Sequence, residues 1–198
     1  MQEEITKTEH KPNGNPLTSF AWFPPQIAFA TQKEKEKVIL LIRQHWITNV
    51  GWILLAIIFA IFPTIFLFYQ DQIIPADYFL REPQVLPLCV IIWYLLVTGF
   101  IFSQFLNWYF NVNIVTTERI IDVDFHNVLY KNVSEAELER IQDVTHKNVG
   151  TLSVLFDYGA VMIQTAAEFS DIEFLRVPNP AEIHKIITDL LEQKRRNR

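Results

Sequence analysis

From Trp46 to Tyr69 the chain reads WITNVGWILLAIIFAIFPTIFLFY, without one charged residue. As a helix rising 1.5 Å per residue it is roughly 36 Å long, more than the ~30 Å of hydrocarbon in a bilayer. Its Leu, Ile, Phe and Val side chains contribute roughly 4–8 kcal/mol toward insertion, enough to offset Asn49 near one end and Pro63 within. Pro63 predicts a kink rather than a break. A second uncharged stretch, LPLCVIIWYLLVTGFIFSQFLNWYF, runs from Leu86 to Phe110 and is again long enough to span. The connection from Asp71 to Val85 is short and holds Pro75 and Pro83, so the two spans are expected to be antiparallel neighbours.

The ends of these stretches carry the residues that favour a membrane interface. Trp46 and Trp52 on the first, with Trp108 and Tyr109 on the second, form an aromatic belt on one side, and Tyr69 and Tyr78 mark the other. Small residues recur at helical spacing, Ala56 with Ala60 and Gly99 with Ser103, and predict close packing of the two helices along those faces. Lys33, Lys35, Lys37 and Arg43 precede the first span, whereas the connecting loop offers only Arg81 beside Asp71, Asp77 and Glu82. The excess of basic residues predicts a cell-membrane, multi-pass protein with both termini in the cytoplasm.

Working outward, the rest of the chain is ordinary in composition. The whole is 50% hydrophobic, with mean hydropathy +0.15 and net charge -5. A negative balance argues against a nucleic-acid partner, because phosphate affinity needs a basic face. The single Cys89 excludes an intrachain disulfide and a cysteine-built zinc site. The N-terminal sequence MQEEITKTEHKPNGNP predicts no cleavable signal. These readings divide the chain into an irregular tail (1–32), a juxtamembrane segment (33–45), a first transmembrane helix (46–69), an external loop (70–85), a second transmembrane helix (86–110) and a cytosolic domain (111–198). Within the tail, SFAWFPPQIAF is apolar but too broken by proline for a helix, and either docks on the sheet or membrane or stays loose.

After Phe110 the apolar residues alternate, as in half-buried strands. Phe110, Val112 and Ile114 alternate with Asn111 and Asn113, and Ile121, Val123 and Phe125 with Asp122 and Asp124, before turn chemistry at His126-Asn127. Leu138, Ile141 and Val144 fit either a helical turn or an irregular strand. Leu152, Leu155 and Phe156 predict a short helix, followed by a turn at Asp157-Tyr158-Gly159, the strand AVMIQTA and another from Asp171 to Val177. The last element is an amphipathic helix with Asn179 as N-cap, Pro180 at its first position, and Ile183, Ile186, Ile187, Leu190 and Leu191 on one stripe. Its basic tail, Lys194, Arg195, Arg196 and Arg198, complements the helix dipole, and lipid headgroups are its alternative partner.

Two apolar helices followed directly by WYFNVNIVTTERIIDVDF, then LERIQDV, then GTLSVLFDYGAVMIQTA and a final helix after VPNP, resemble the bacterial pleckstrin-homology-like (PH-like) domain family, also called the membrane-flanking or DUF304 family. EKEKVILLIRQHW before the first span resembles the segment preceding the hairpin in that family. The likeness covers about Glu34 to Leu191, with Thr117-Glu118-Arg119 and Ile141-Gln142-Asp143-Val144 as its most specific parts. It implies an α+β membrane protein: a two-helix transmembrane hairpin followed by a PH-like split β-barrel with a C-terminal capping helix.

Catalytic constellations are thin. No Gly-rich phosphate loop, G-x-S-x-G or H-E-x-x-H is present. Asp122, Asp124 and His126 share one strand face as metal ligands would, but read as a solvent-facing polar strand edge; Asp143 with His146 reads as two solvated side chains with no nucleophile beside them. Trp46 is an interfacial anchor, and a pH-sensing His45 beside it is the sharper idea. Phosphoinositide binding is not carried over from eukaryotic PH domains, because residues 111–198 hold more acidic than basic residues. The expected function is therefore non-enzymatic and without cofactor: a membrane-tethered scaffold that binds a protein or peptide partner, or a second copy, by edge-strand addition. A lipid or envelope-stress sensor and a divergent metal-dependent enzyme are the alternatives.

Overall fold

The computed structural model describes residues 17–24, 32–33, 36–75, 78–79, 82–127, 130–166 and 171–196. The chain divides into two compact units: Met1–Thr48 with Trp108–Arg198, and Asn49–Asn107.

The first unit is built on two antiparallel sheets. Strands β1 (Phe20–Trp22), β2 (Val38–Arg43), β3 (Val112–Thr116), β4 (Arg119–Asn127) and β5 (Tyr130–Glu137) form a five-stranded sheet in that order. A 3-10 turn, Leu138–Arg140, leads into β6 (Ile141–Lys147), which with β7 (Tyr158–Thr165) and β8 (Ile172–Pro178) makes a three-stranded sheet. The region left open between turn and strand is thus both in succession. No strand pairing closes the two sheets into a barrel among the described residues.

One correction to the sequence reading concerns the segment before the first span. VILLIR is a strand buried at all six positions, hydrogen-bonded between β1 and β3, with Leu41 opposite Ile114 and Arg43 opposite Val112. A short run of consecutive apolar residues is the pattern of a strand covered on both faces. The β unit therefore starts well before residue 111, and FAW, inside the supposed irregular tail, is its first strand. The apolar pair of helices is an insertion between two partnered strands, β2 and β3.

The main core lies between the sheets and the last helix. Leu40, Ile42, Val115 and Ile120 from the first sheet meet Val161, Ile163, Phe174 and Val177 from the second, together with Ile183, Ile187 and Leu191. Fully burying each such side chain is worth about 1.5–3 kcal/mol. A smaller cluster, Ala21, Val38, Leu41, Ile114 and Ile121, occupies the other face of the first sheet. At Gly159 an added Cβ would come within 2.4 Å of the Lys147 carbonyl oxygen, so only glycine lets β7 run this close to the end of β6.

The amphipathic helix spans Pro180–Arg196 and packs on β6 and β7 with its expected stripe inward. Asn179 has φ 47° instead of the extended backbone usual for a cap, yet its carbonyl accepts from the Glu182 and Ile183 amides and its side-chain amide donates to Glu182.

The second unit holds most of two helices, α1 (Val50–Ile73, after a 3-10 turn Trp46–Asn49) and α2 (Val85–Phe110). Both are long and apolar enough to cross a membrane by length and composition. Pro63 sits inside α1 without ending it. Proline has no N–H, so the Phe59 carbonyl lacks its helical donor. The Trp93 indole of α2 fills that place with a hydrogen bond of 2.8 Å, and the Tyr94 hydroxyl donates to the Ala60 carbonyl at 3.1 Å. Trp93 packs edge-on against Phe59 and beside Phe62. Of the small residues expected at this contact, Ala56 is buried, but Gly99 is exposed, with nothing within 4 Å of an added Cβ. The α2 contact face instead runs through Trp93, Val97 and Phe100, one helical repeat that leaves Gly99 on another side, with Ser103 half-buried.

Candidate interaction surface

At one end of the β unit a polar network fastens β2 to the β3–β4 turn. The Glu36 side chain is fully buried and ion-paired to Arg119, Nε to Oε1 at 3.0 Å and Nη2 to Oε2 at 3.2 Å. The Thr116 hydroxyl lies 2.8 Å from Glu36 Oε1 and accepts from the Glu118 and Arg119 amides, and the Lys33 amide donates to Glu36 Oε2 at 3.0 Å. Burial alone would raise the Glu36 carboxyl; the bonds from Arg119, Lys33 and Thr116 outweigh it and hold the group below its ordinary value. Arg119 extends the network to Glu135 on β5, 2.6 Å away. The Thr117-Glu118-Arg119 segment singled out in the sequence is thus a structural turn, whereas its partner Glu36, 83 residues from Arg119, carried no local signal.

Beside this network β5 offers an open edge. Among the described residues it pairs only with β4, and Val133, Glu135 and Glu137 on it are exposed. Two shallow clefts, about 230 and 220 Å³, lie at its end; Arg119, Glu135, Arg140 and Thr165 line the first, Glu118, Glu139 and Lys194 the second, and Lys33 and Glu137 both. Pockets that enclose small molecules start at about 300 Å³ and are mostly apolar. Clefts of this size and charge suit side chains of an extended segment laid along the edge.

The basic tail of the last helix belongs to the same end. Lys194 is 2.9 Å from Glu118 and 3.9 Å from Glu139, and Arg196 pairs with Glu192. Arg195 is exposed, and Arg198 lies outside the described residues.

The other end of the unit is where the inserted helices leave it. Arg43, buried rather than a free juxtamembrane charge, donates to the Tyr109 carbonyl at 3.0 Å and the Thr18 carbonyl at 3.3 Å, with its guanidinium 4.8 Å from the Tyr109 ring centre. The Trp108 indole donates to the Gln44 carbonyl. Trp108 and Tyr109, expected from the sequence at a membrane interface, therefore clamp β2 to the end of α2. Trp46 is exposed, and the Trp52 indole donates to Asn49 at 2.9 Å. His45 is buried against Tyr158, its rings stacked at 5.6 Å, with Nδ1 accepting from the Ile47 amide. Desolvation lowers its pKa and favours the neutral imidazole, and the Asp157 carboxylate, which favours the charged form, counters it only in part.

Asp122 corrects another reading. It shares a sheet face with Ile120, β4 lies inside the sheet, and the carboxyl is buried opposite Asn113 and Ser134 rather than facing solvent. Burial, and then the neighbouring Asp124, raise its pKa to about 7. The His126 side chain lies outside the described residues, and no group of three potential metal ligands occurs among those described. Asp143 makes no bond to His146, whose ring lies 5.0 Å from His184.

Against known proteins, the sequence matches the family model described as Bacterial PH domain over residues 38–191, a range that includes β2 and both apolar helices. The narrower DUF304 designation rests on the resemblance alone. No curated protein matches. Among solved structures, a DUF1696 family protein with a pleckstrin-homology domain from Shewanella loihica PV-4 is similar at 15% identity and a TM-score of 0.33, over 40% of this chain and 69% of that one.

Proposed function

Because the chain belongs to the bacterial PH domain family, we propose that it is a membrane-anchored interaction module. The two apolar helices cross the cell membrane as a hairpin, with both termini in the cytoplasm and Trp46, Trp52, Trp108 and Tyr109 at the inner interface. They hold the PH-like domain there to bind a protein or peptide segment, or a second copy of the chain. The open edge of β5, with its flanking polar clefts, carries this reading. An unpaired strand edge supplies main-chain donors and acceptors to any extended segment, and the clefts beside it select among side chains.

The test places a photo-crosslinking amino acid at Val133 in the full-length chain in native membranes, with Asp189 on the exposed side of the last helix as control. The expected result is a discrete adduct at Val133 that is absent at Asp189, with twice the chain mass if the partner is a second copy. Equal, diffuse crosslinking at both sites would remove the β5 edge from consideration. Anchoring has its own check: the chain stays with membranes through alkaline carbonate extraction, and a cysteine at Phe79 reacts with an impermeant maleimide from outside while one at Asp189 does not.

A further inference from the structure

The β6–β7 connection holds a five-residue helix, α3 (Thr151–Leu155), that is turned inside out. Its Ser153 is 2% exposed and donates to the Tyr158 carbonyl, whereas Leu152, Val154 and Leu155 are 58, 68 and 74% exposed, and Val149 just before it 81%. In water the apolar residues of a surface helix turn inward and the polar ones outward. Here the core has taken the hydroxyl and left three large aliphatic side chains outside, a contiguous apolar surface of the kind that marks an interaction site.

We propose that α3 is seated in the lipid interface, its outward Leu152, Val154 and Leu155 inserted among the headgroups and upper acyl chains of the bilayer that the hairpin crosses. The inference rests on the membrane-anchored reading above. Its geometry is internal to the β unit. Phe156 meets the Trp46 ring edge-to-face at 6.1 Å, and Trp46 is the first residue of the first apolar span. Tyr158 stacks on His45, next to the Gln44 carbonyl that holds Trp108. The apolar surface thus adjoins the points at which both hairpin helices leave the domain, so a bilayer entered there lies within reach of α3. Lys147 ends β6, and the exposed Arg176 lies two residues before the end of β8 with its carbonyl bonded to the His45 amide; Asp157 is the nearby acid, and interfacial segments combine aliphatic side chains with such basic residues. The basic tail of the last helix is no substitute. The last helix starts beside Asp157, through the Asn179 amide, and carries Lys194 away to Glu118, past the far end of β3, whose five residues extend about 16 Å.

The test uses the full chain in vesicles of phosphatidylcholine and phosphatidylglycerol, with Cys89→Ser removing the only native thiol. An environment-sensitive fluorophore is attached in separate variants at Leu155→Cys, at Ile91→Cys in the second span, and at Glu139→Cys beside Lys194. All three positions are exposed, so the labels leave the packing intact. Seating of α3 gives a blue-shifted emission at 155 and several-fold stronger quenching by brominated acyl chains than at 139. A water-like signal at 155 with a lipid-quenched signal at 91 overturns the α3 proposal and leaves the hairpin standing. A blue shift at 155 without lipid quenching means that protein covers the surface, and also overturns it. A water-like signal at 91 brings down the hairpin reading and the α3 proposal together.

Discussion

Glu36 and Asp122 are both buried carboxylates, yet their surroundings push them in opposite directions. Glu36 is held ionised by Arg119, Thr116 and a backbone amide, so it adds stability that is present above the ordinary carboxylate pKa and lost as pH falls through its lowered value. Removing its charge takes the buried partner away from Arg119 and leaves the ion pair with Glu135 in place. Glu36→Gln is expected to cost about 3 kcal/mol in detergent-solubilised thermal unfolding, and pairing it with Arg119→Met should return part of that loss. Among the described residues Asp122 has no such partner charge, and Asp124 stands beside it. Its raised pKa of about 7 means that stability is full below the unfolded carboxylate pKa near 4 and declines as pH rises through about 7. Asp122→Asn, which cannot ionise, should match the wild type near pH 4 and melt several degrees higher at pH 8, by circular dichroism. A difference between the two that does not change with pH would show that the carboxyl is not titrating in this window. The alternation of β4 was readable in the sequence, but which face meets the main core was not. Ile120 and Asp122 occupy the buried side because β3 and β5 flank β4 and the second sheet covers it.

Among the elements, α1 shows why composition alone misplaces a helix contact. Small residues at helical spacing pointed to Gly99, but what the pair needs is a donor for the carbonyl that Pro63 orphans, and the Trp93 indole supplies it. In hydrocarbon no water can replace that donor. Trp93→Phe keeps an aromatic ring while removing the N–H together with the pyrrole half of the indole, and is expected to destabilise the helix pair by about 1–2 kcal/mol in detergent titration. The same change in a Pro63→Ala background, where the backbone N–H is restored, should cost much less. Gly99→Leu points into open space within the pair and should fall within about 0.5 kcal/mol of the wild type. A large loss at Gly99 with none at Trp93 would reverse the assignment of the contact. The last helix, by contrast, was legible down to its cap and stripe, because its signals are local: Asn-Pro at the start, isoleucines three and four apart, basic residues at the end. For α3 the spacing of Leu152, Leu155 and Phe156 announced a helix, but spacing cannot say whether an apolar side turns inward or outward.

At the scale of the molecule the decisive feature is that the hairpin interrupts a domain instead of preceding it. Read along the chain, VILLIR looks like the approach to a membrane span, and its six apolar and basic residues give no sign of the long-range partners that bury them. In space it is a central strand whose Leu40 and Ile42 are fully buried in the main core, and whose Arg43 stands opposite Val112 across the insertion. Two consequences separate this architecture from a hairpin followed by an independent domain. A fragment of residues 111–198 lacks β1 and β2, exposing one side of β3 and leaving the core without two of its largest apolar side chains; each costs about 2–5 kcal/mol when removed, against a total stability of 5–15 kcal/mol for an ordinary domain. That fragment should fail to unfold cooperatively and should aggregate. Replacing Asn49–Asn107 with a short Gly-Ser linker instead keeps both strands, and the Trp108–Gln44 hydrogen bond already brings the two cut ends together, so closure costs little chain entropy. This second chain is expected to show dispersed amide resonances and a single cooperative melt, provided a mild detergent covers the apolar side chains of α3. If the 111–198 fragment folded as well as the linked chain, β2 would be dispensable and the domain would begin after the hairpin.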